Sequence, residues 1–171
     1  MLLASGQRAQ TPLALRVDGM EITASAFVFQ IKNLDIKHGR IGYKAEPIKF
    51  KAFPVDRRIR VYNYLTEHLK RTLNVRGKEK RLLLMTVKPH VAISRDTLSR
   101  WVKLVLKKAG INTEIFKAGS TRAATVSKAA LAGASLEEIM RGAGWSRQTT
   151  FMKWYKREVK SKKDLQDYVI K

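Results

Sequence analysis

Between residues 25 and 32 the chain reads Ser-Ala-Phe-Val-Phe-Gln-Ile-Lys, dense in β-branched and aromatic types. From Pro47 to Phe53, Ile48, Phe50 and Ala52 alternate with Lys49 and Lys51. Both segments predict strands, the second with one apolar and one charged face. Between them, Asp35 to Lys44 places Gly39 and Gly42 among Lys37, His38, Arg40 and Lys44, a composition suited to a turn or a further short strand. Together these stretches predict a basic hairpin.

Downstream the apolar period lengthens from two to about three and a half. Asp56 is a plausible N-cap ahead of Val61, Leu65 and Leu69, which predicts a helix to about Leu73. Leu82 to Val87 is a compact apolar run. Ser94 then caps a predicted helix whose Leu98, Trp101, Val102, Val105 and Leu106 form one apolar stripe, and Gly110 ends it. Ser120 is the expected cap of a helix over 121 to 133, and Ser135 with Glu138 spells a capping box for a short helix ending in Gly142-Ala143-Gly144. A last helix is expected after Ser146, carrying Phe151, Trp154 and Tyr155. The basic stretch Lys156 to Lys163 and a small amphipathic end with Leu165, Tyr168 and Val169 follow it. The pattern is a mostly helical α+β domain with a small antiparallel sheet or hairpin on one side.

At 171 residues the chain is the size of one domain with one core. No apolar run approaches the roughly 18 residues that cross a bilayer, and no basic leader precedes the first residues, so neither membrane insertion nor secretion is expected. With no cysteine and three histidines that lack close ligand spacing, disulfides and thiolate metal sites are excluded, and a reducing, intracellular setting is expected. Charge changes the picture most. Thirty-five Lys and Arg against fourteen Asp and Glu leave a net charge of +21, enough to draw in a polyanion, and nucleic acid is the leading partner.

Breaking a phosphodiester through an enzyme tyrosine requires cations on the non-bridging oxygens as phosphorus becomes five-coordinate, a role that suits arginine. The departing 5′ oxygen needs a proton, and a phenol of ordinary pKa about 10 needs help in losing one. Three stretches carry such groups: Ala118-Gly119-Ser120-Thr121-Arg122, Gly144-Trp145-Ser146, and Phe151-Met152-Lys153-Trp154-Tyr155. In order and spacing they resemble the end of the phage-integrase family of tyrosine recombinases, particularly versions borne by animal retroelements. That family has His-x-x-Arg, then Gly-His or Gly-Trp, then a helix ending in the nucleophilic tyrosine. Ala4-Ser5-Gly6-Gln7-Arg8 is similar to its first arginine motif.

The resemblance implies a catalytic set of Arg8, Lys37, Arg122, Trp145 and Tyr155, with Lys44 competing with Lys37 for the hairpin acid. Arg8 and Arg122 would hold the phosphate oxygens, Trp145 would donate its indole N–H, and Tyr155 would form a 3′-phosphotyrosine. Arg40, Lys44, Lys88, Arg95 and Arg147 are the candidate DNA contacts. No metal and no cofactor are expected. The expected partners are double-stranded DNA and further copies of the chain, as a tetramer on paired sites through Leu165 to Ile170, with nuclear placement if the host is eukaryotic.

Two positions depart from the family. Gly119 stands where the motif has histidine, and removes a general acid-base group of the kind that contributes about 10² to 10⁴ in rate. Either Trp145 and the arginines suffice for slow chemistry, or His90 in the Lys88-Pro89-His90 loop approaches the site. Thr11, followed by Pro12, replaces the acidic residue usual three positions after the first arginine, so the helix expected to carry Arg8 should stop or bend near Thr11. The chain also begins at this motif, without the helices and DNA-clamping domain that precede it in the family, which reads as a partial catalytic domain. Two rival readings remain: a non-catalytic DNA-binding relic, and an RNA-binding protein suggested by charge alone.

Overall fold

The computed structural model describes residues 1–31, 46–52, 60–145, 148–149 and 151. Two short helices open the chain, α1 (Leu2–Ser5) and α2 (Thr11–Ala14), and a 3-10 turn (Val17–Gly19) leads into three strands. These are β1 (Met20–Ile22), β2 (Ala26–Phe29) and β3 (Ile48–Lys51), in an antiparallel sheet of order β1-β2-β3. Four longer helices follow: α3 (Val61–Thr72), α4 (Arg95–Lys108), α5 (Ser120–Leu131) and α6 (Leu136–Ala143). The architecture is α+β and mostly helical.

The period-two pattern built the sheet as expected. Ile48 and Phe50 are buried while Lys49 and Lys51 face water, and Phe27 pairs with Phe50 across the β2–β3 ladder. Leu15, Phe27, Phe29, Ile48, Phe50, Val61, Leu65 and Leu82 close one core between the sheet and α3. Strand β1 was not foreseen, because its turn, Thr23-Ala24-Ser25, has no Gly, Pro or Asn. The Thr23 hydroxyl holds that turn instead, accepting from Ala26 N at 3.0 Å.

Helix ends follow local chemistry. Ser94 Oγ accepts from Thr97 N at 3.1 Å, Gly110 takes φ +74° just past α4, and Ser135 and Glu138 complete the capping box of α6. Three expectations are corrected. Gly119, not Ser120, is the N-cap of α5; Ser120 starts the helix, its hydroxyl accepting from Lys117 N, and α5 closes at Leu131. Arg8 lies on no helix: the chain turns at Gly6, and Pro12 stands at the start of α2, where a missing N–H costs nothing, instead of ending a helix. The stripe of α4 is only partly used. Leu98 is buried, but Val105 is 65% exposed, since the principal pairings among described elements join α1 to α5, α5 to α6 and α3 to β3 and leave α4 out. The described part of the Asp56-capped helix starts at Val61 with Arg60 at its N-cap. Asp56 itself, the Asp35–Lys44 hairpin, Ser146 and everything after Phe151 lie outside the described residues.

Candidate active site

The N-terminal motif is seated in the angle between α5 and α6. Gly6 has φ +61°, and a β-carbon there would come within 3.3 Å of the Thr125 methyl and 3.4 Å of Ala143. Glycine is required twice over, for the left-handed turn and for the close approach. Three long-range hydrogen bonds hold the segment: Thr125 Oγ1 donates to Leu3 O (2.9 Å), Arg122 Nη1 to Gly6 O (3.1 Å) and Gln7 Nε2 to Gly142 O (2.8 Å). The turn continues with Thr11 N donating to Arg8 O at 2.8 Å. Arg8 is therefore held by its own turn and by its neighbours' bonds to the far end of the chain.

On the other side, the capping box starts α6 and Gly144, at φ +67°, ends it; Trp145 N then donates to Met140 O at 2.8 Å. This closure tucks the indole into a second apolar cluster of Val126, Ile139, Ala143, Trp145 and Phe151. Phe151 stands edge-on to it, ring centres 5.8 Å apart. Trp145 thus takes the place of a packed aromatic between helices and also faces cations. The Arg122 guanidinium carbon lies 4.3 Å from the ring centre and that of Arg8 5.7 Å from it. Both distances are within the range of cation–π attraction.

Arg122 is 4% exposed, in the first turn of α5, a turn without an acidic residue. A cation at the positive end of a helix and a second cation at the same indole bring like charges together. An anion there would be attracted by both guanidiniums and by the helix end. Gly119 lies one turn before Arg122 with ordinary right-handed backbone (φ −68°, ψ −22°), and a β-carbon on it would meet nothing within 4 Å. Neither backbone nor space demands glycine at 119.

The fold superposes on the XerH site-specific recombinase bound to its difH substrate in a pre-cleavage complex (TM-score 0.67, 17% identity, 87% of this chain and 38% of that one). It matches XerH on a palindromic difH substrate in a post-cleavage complex (TM-score 0.68, 17% identity, 91% and 40%) and the XerA recombinase (TM-score 0.64, 16% identity, 91% and 50%). The fold is that of the tyrosine recombinases. No protein-family model and no curated protein matches the sequence. The chain spans half or less of the length of these recombinase structures.

On this tyrosine-recombinase fold, three of the five predicted catalytic positions, Arg8, Arg122 and Trp145, meet. Lys37 and Tyr155 lie outside the described residues, as do Arg40, Lys44 and Arg147 among the candidate DNA contacts. Lys88 and Arg95 are exposed, the first in the turn before α4 and the second in its opening turn. His90 sits at φ +57° with its Nδ1 3.1 Å from Met85 O, which ties the ring to its own turn. Sequence reasoning missed Gln7 and Thr125, while Gly144 ends α6 as expected. No local pattern marks side chains whose partners are over a hundred positions away.

Proposed function

We propose that this domain binds duplex DNA and breaks and rejoins its strands through a 3′-phosphotyrosine, as the catalytic part of a recombinase of the kind carried by animal retroelements. The observation that carries the reading is the convergence of Arg8 and Arg122 on one indole. The two arginines, far apart in sequence, gather at one indole, Arg122 from the first turn of α5, on a fold whose solved examples include recombinases in complex with DNA substrates. The charge of +21 supplies the general attraction for DNA.

In this reading the Tyr155 phenolate oxygen attacks phosphorus. A tyrosyl O–P bond forms, the P–O5′ bond breaks, and the leaving oxygen takes a proton from Lys37, or from Lys44 in its place. Arg8 and Arg122 neutralise the non-bridging oxygens in the five-coordinate state, and the Trp145 indole N–H faces the same oxygens. The phosphate ester energy stays in the protein–DNA link, so a second hydroxyl rejoins the strand without an added energy source. No metal or cofactor takes part. Lys88 and Arg95, with Arg40, Lys44 and Arg147, contact the DNA backbone. The domain works inside the cell as a tetramer on two paired sites, with Leu165 to Ile170 docking on a neighbouring copy. Chemistry is slow because Gly119 brings no imidazole to the turn that carries Arg122.

The test uses a nicked duplex built on sequences selected from a random pool for binding. Protease-sensitive protein covalently attached to that DNA, and lost in Tyr155→Phe, supports the proposal. Salt-sensitive binding to duplex DNA without any covalent product favours a second reading, a DNA-binding relic whose cleavage has lapsed, for which Gly119 speaks directly. Preference for RNA over duplex DNA in competition would contradict both.

A further inference from the structure

Gln7 lies between Gly6 and Arg8, and the chemistry of the proposed site assigns it nothing. Its surroundings are specific. The side-chain amide reaches across to the end of α6, donating from Nε2 to Gly142 O at 2.8 Å. The same amide fills the space beside Gly144: a β-carbon at 144 would lie 3.0 Å from Gln7 Oε1 and 3.2 Å from Nε2. Its oxygen also accepts from Thr11 Oγ1 at 3.5 Å, which links it to the turn that Arg8 makes.

These contacts lie within three residues of the arginine cluster on both sides: Thr11 three after Arg8, and Gly142 three before Trp145. Arg8 follows Gln7, and Trp145 follows Gly144. A turn that includes Arg8 and a helix end that releases Trp145 are thus held a fixed distance apart by a single planar amide. Arg8 is half-buried on a short turn; without a fixed turn its long side chain would sample several rotamers, and ordering it at the moment an anion binds would weaken binding.

We infer that Gln7 is a positioning residue: it spaces the Arg8 turn from the end of α6 and so presents the Arg8 guanidinium to the anion bound beside Trp145. The inference rests on the proposed anion site and deepens it. Gln7 touches no reacting atom; it acts through Arg8.

The experiment uses the full chain labelled with ¹⁵N at tryptophan, the Trp145 indole resonance being the one that disappears in Trp145→Phe. Orthovanadate is titrated in, and its affinity is read from the saturable shift of that resonance. Gln7→Ala and Gln7→Met, the second keeping bulk without the donor, are expected to weaken orthovanadate about tenfold, with melting temperature within a few degrees of the parent. In an Arg8→Ala background the same substitutions are expected to have no further effect, because the residue they act through is gone. Unchanged affinity in both Gln7 variants overturns the inference and leaves the anion site standing. Equal weakening with and without Arg8 also overturns it, since that is the mark of a general structural role. Absence of any saturable shift in the parent chain overturns the anion site itself, and this inference with it.

Discussion

The two apolar clusters of this protein use similar side chains to different ends. Beside the sheet, Phe27, Phe29, Leu15 and Leu82 are almost wholly buried, and the rings meet one another: Phe27 on Tyr62 at 4.8 Å and Phe29 edge-on to Phe50 at 6.0 Å. Under the arginines, Trp145 and Phe151 also meet edge-on within their own apolar cluster, but two guanidiniums lie over the same indole. The first cluster satisfies itself. The second is an apolar floor over which two like charges are brought together. Burial is deepest in the first region, and the proposed chemistry lies in the second.

Substitutions should separate the two. The largest effect on stability is expected from Phe29→Ala, which empties a fully buried ring from the sheet core and should cost about 3 to 5 kcal/mol in urea denaturation. A loss under 1 kcal/mol would erase the contrast between the clusters. Arg122→Lys keeps the charge but gives up the planar group lying on Trp145 and its fork of donors. We expect covalent attachment to nicked DNA to fall about 10²-fold, with a stability change well below that of Phe29→Ala. Gly119→His places an imidazole in open space one turn from Arg122, so cleavage should rise about tenfold or more with unchanged folding. A variant that folds and gains nothing would show that more than the motif histidine is missing.

The smallest effect lies in the capping box of α6, the helix that delivers Trp145. Ser135→Ala should cost about 1 kcal/mol near neutral pH. Hydrogen bonds from the Ser135 backbone N–H and hydroxyl hold the Glu138 carboxyl below the usual carboxylate range. A depressed folded value means that the contribution is fully present above the ordinary glutamate pKa and fades as pH falls through the lowered one. The Ser135→Ala difference should therefore shrink on acid titration followed by circular dichroism, and a difference that grows instead would reverse the assignment.

The features legible in the sequence are those set by near neighbours. Strand alternation at Ile48 and Phe50, the Ser94 cap, the Gly110 stop and the Ser135–Glu138 box depend on residues a few positions apart, and each took its expected form. The errors arose where a distant partner or a less familiar turn decided. Strand β1 hid behind a hydroxyl-held turn, and Pro12 could be read as ending a helix as readily as beginning one. The apolar stripe of α4 carried no information about whether a neighbour covers it. In the site, Arg8, Arg122 and Trp145 were legible through motif order. Their physical linkage, Arg122 on Gly6 O and Gln7 on Gly142 O, was not, because no periodicity encodes a contact between the two ends of a chain.

Two arginines and one indole, gathered from positions 8, 122 and 145, are proposed to form a seat for a phosphate. A crystal structure of the protein grown with orthovanadate and duplex DNA tests it most directly. The account predicts a vanadate centre within hydrogen-bond reach of both the Arg8 and Arg122 guanidiniums, beside the Trp145 indole. Vanadate bound elsewhere, with those two arginines turned away from each other, would contradict it.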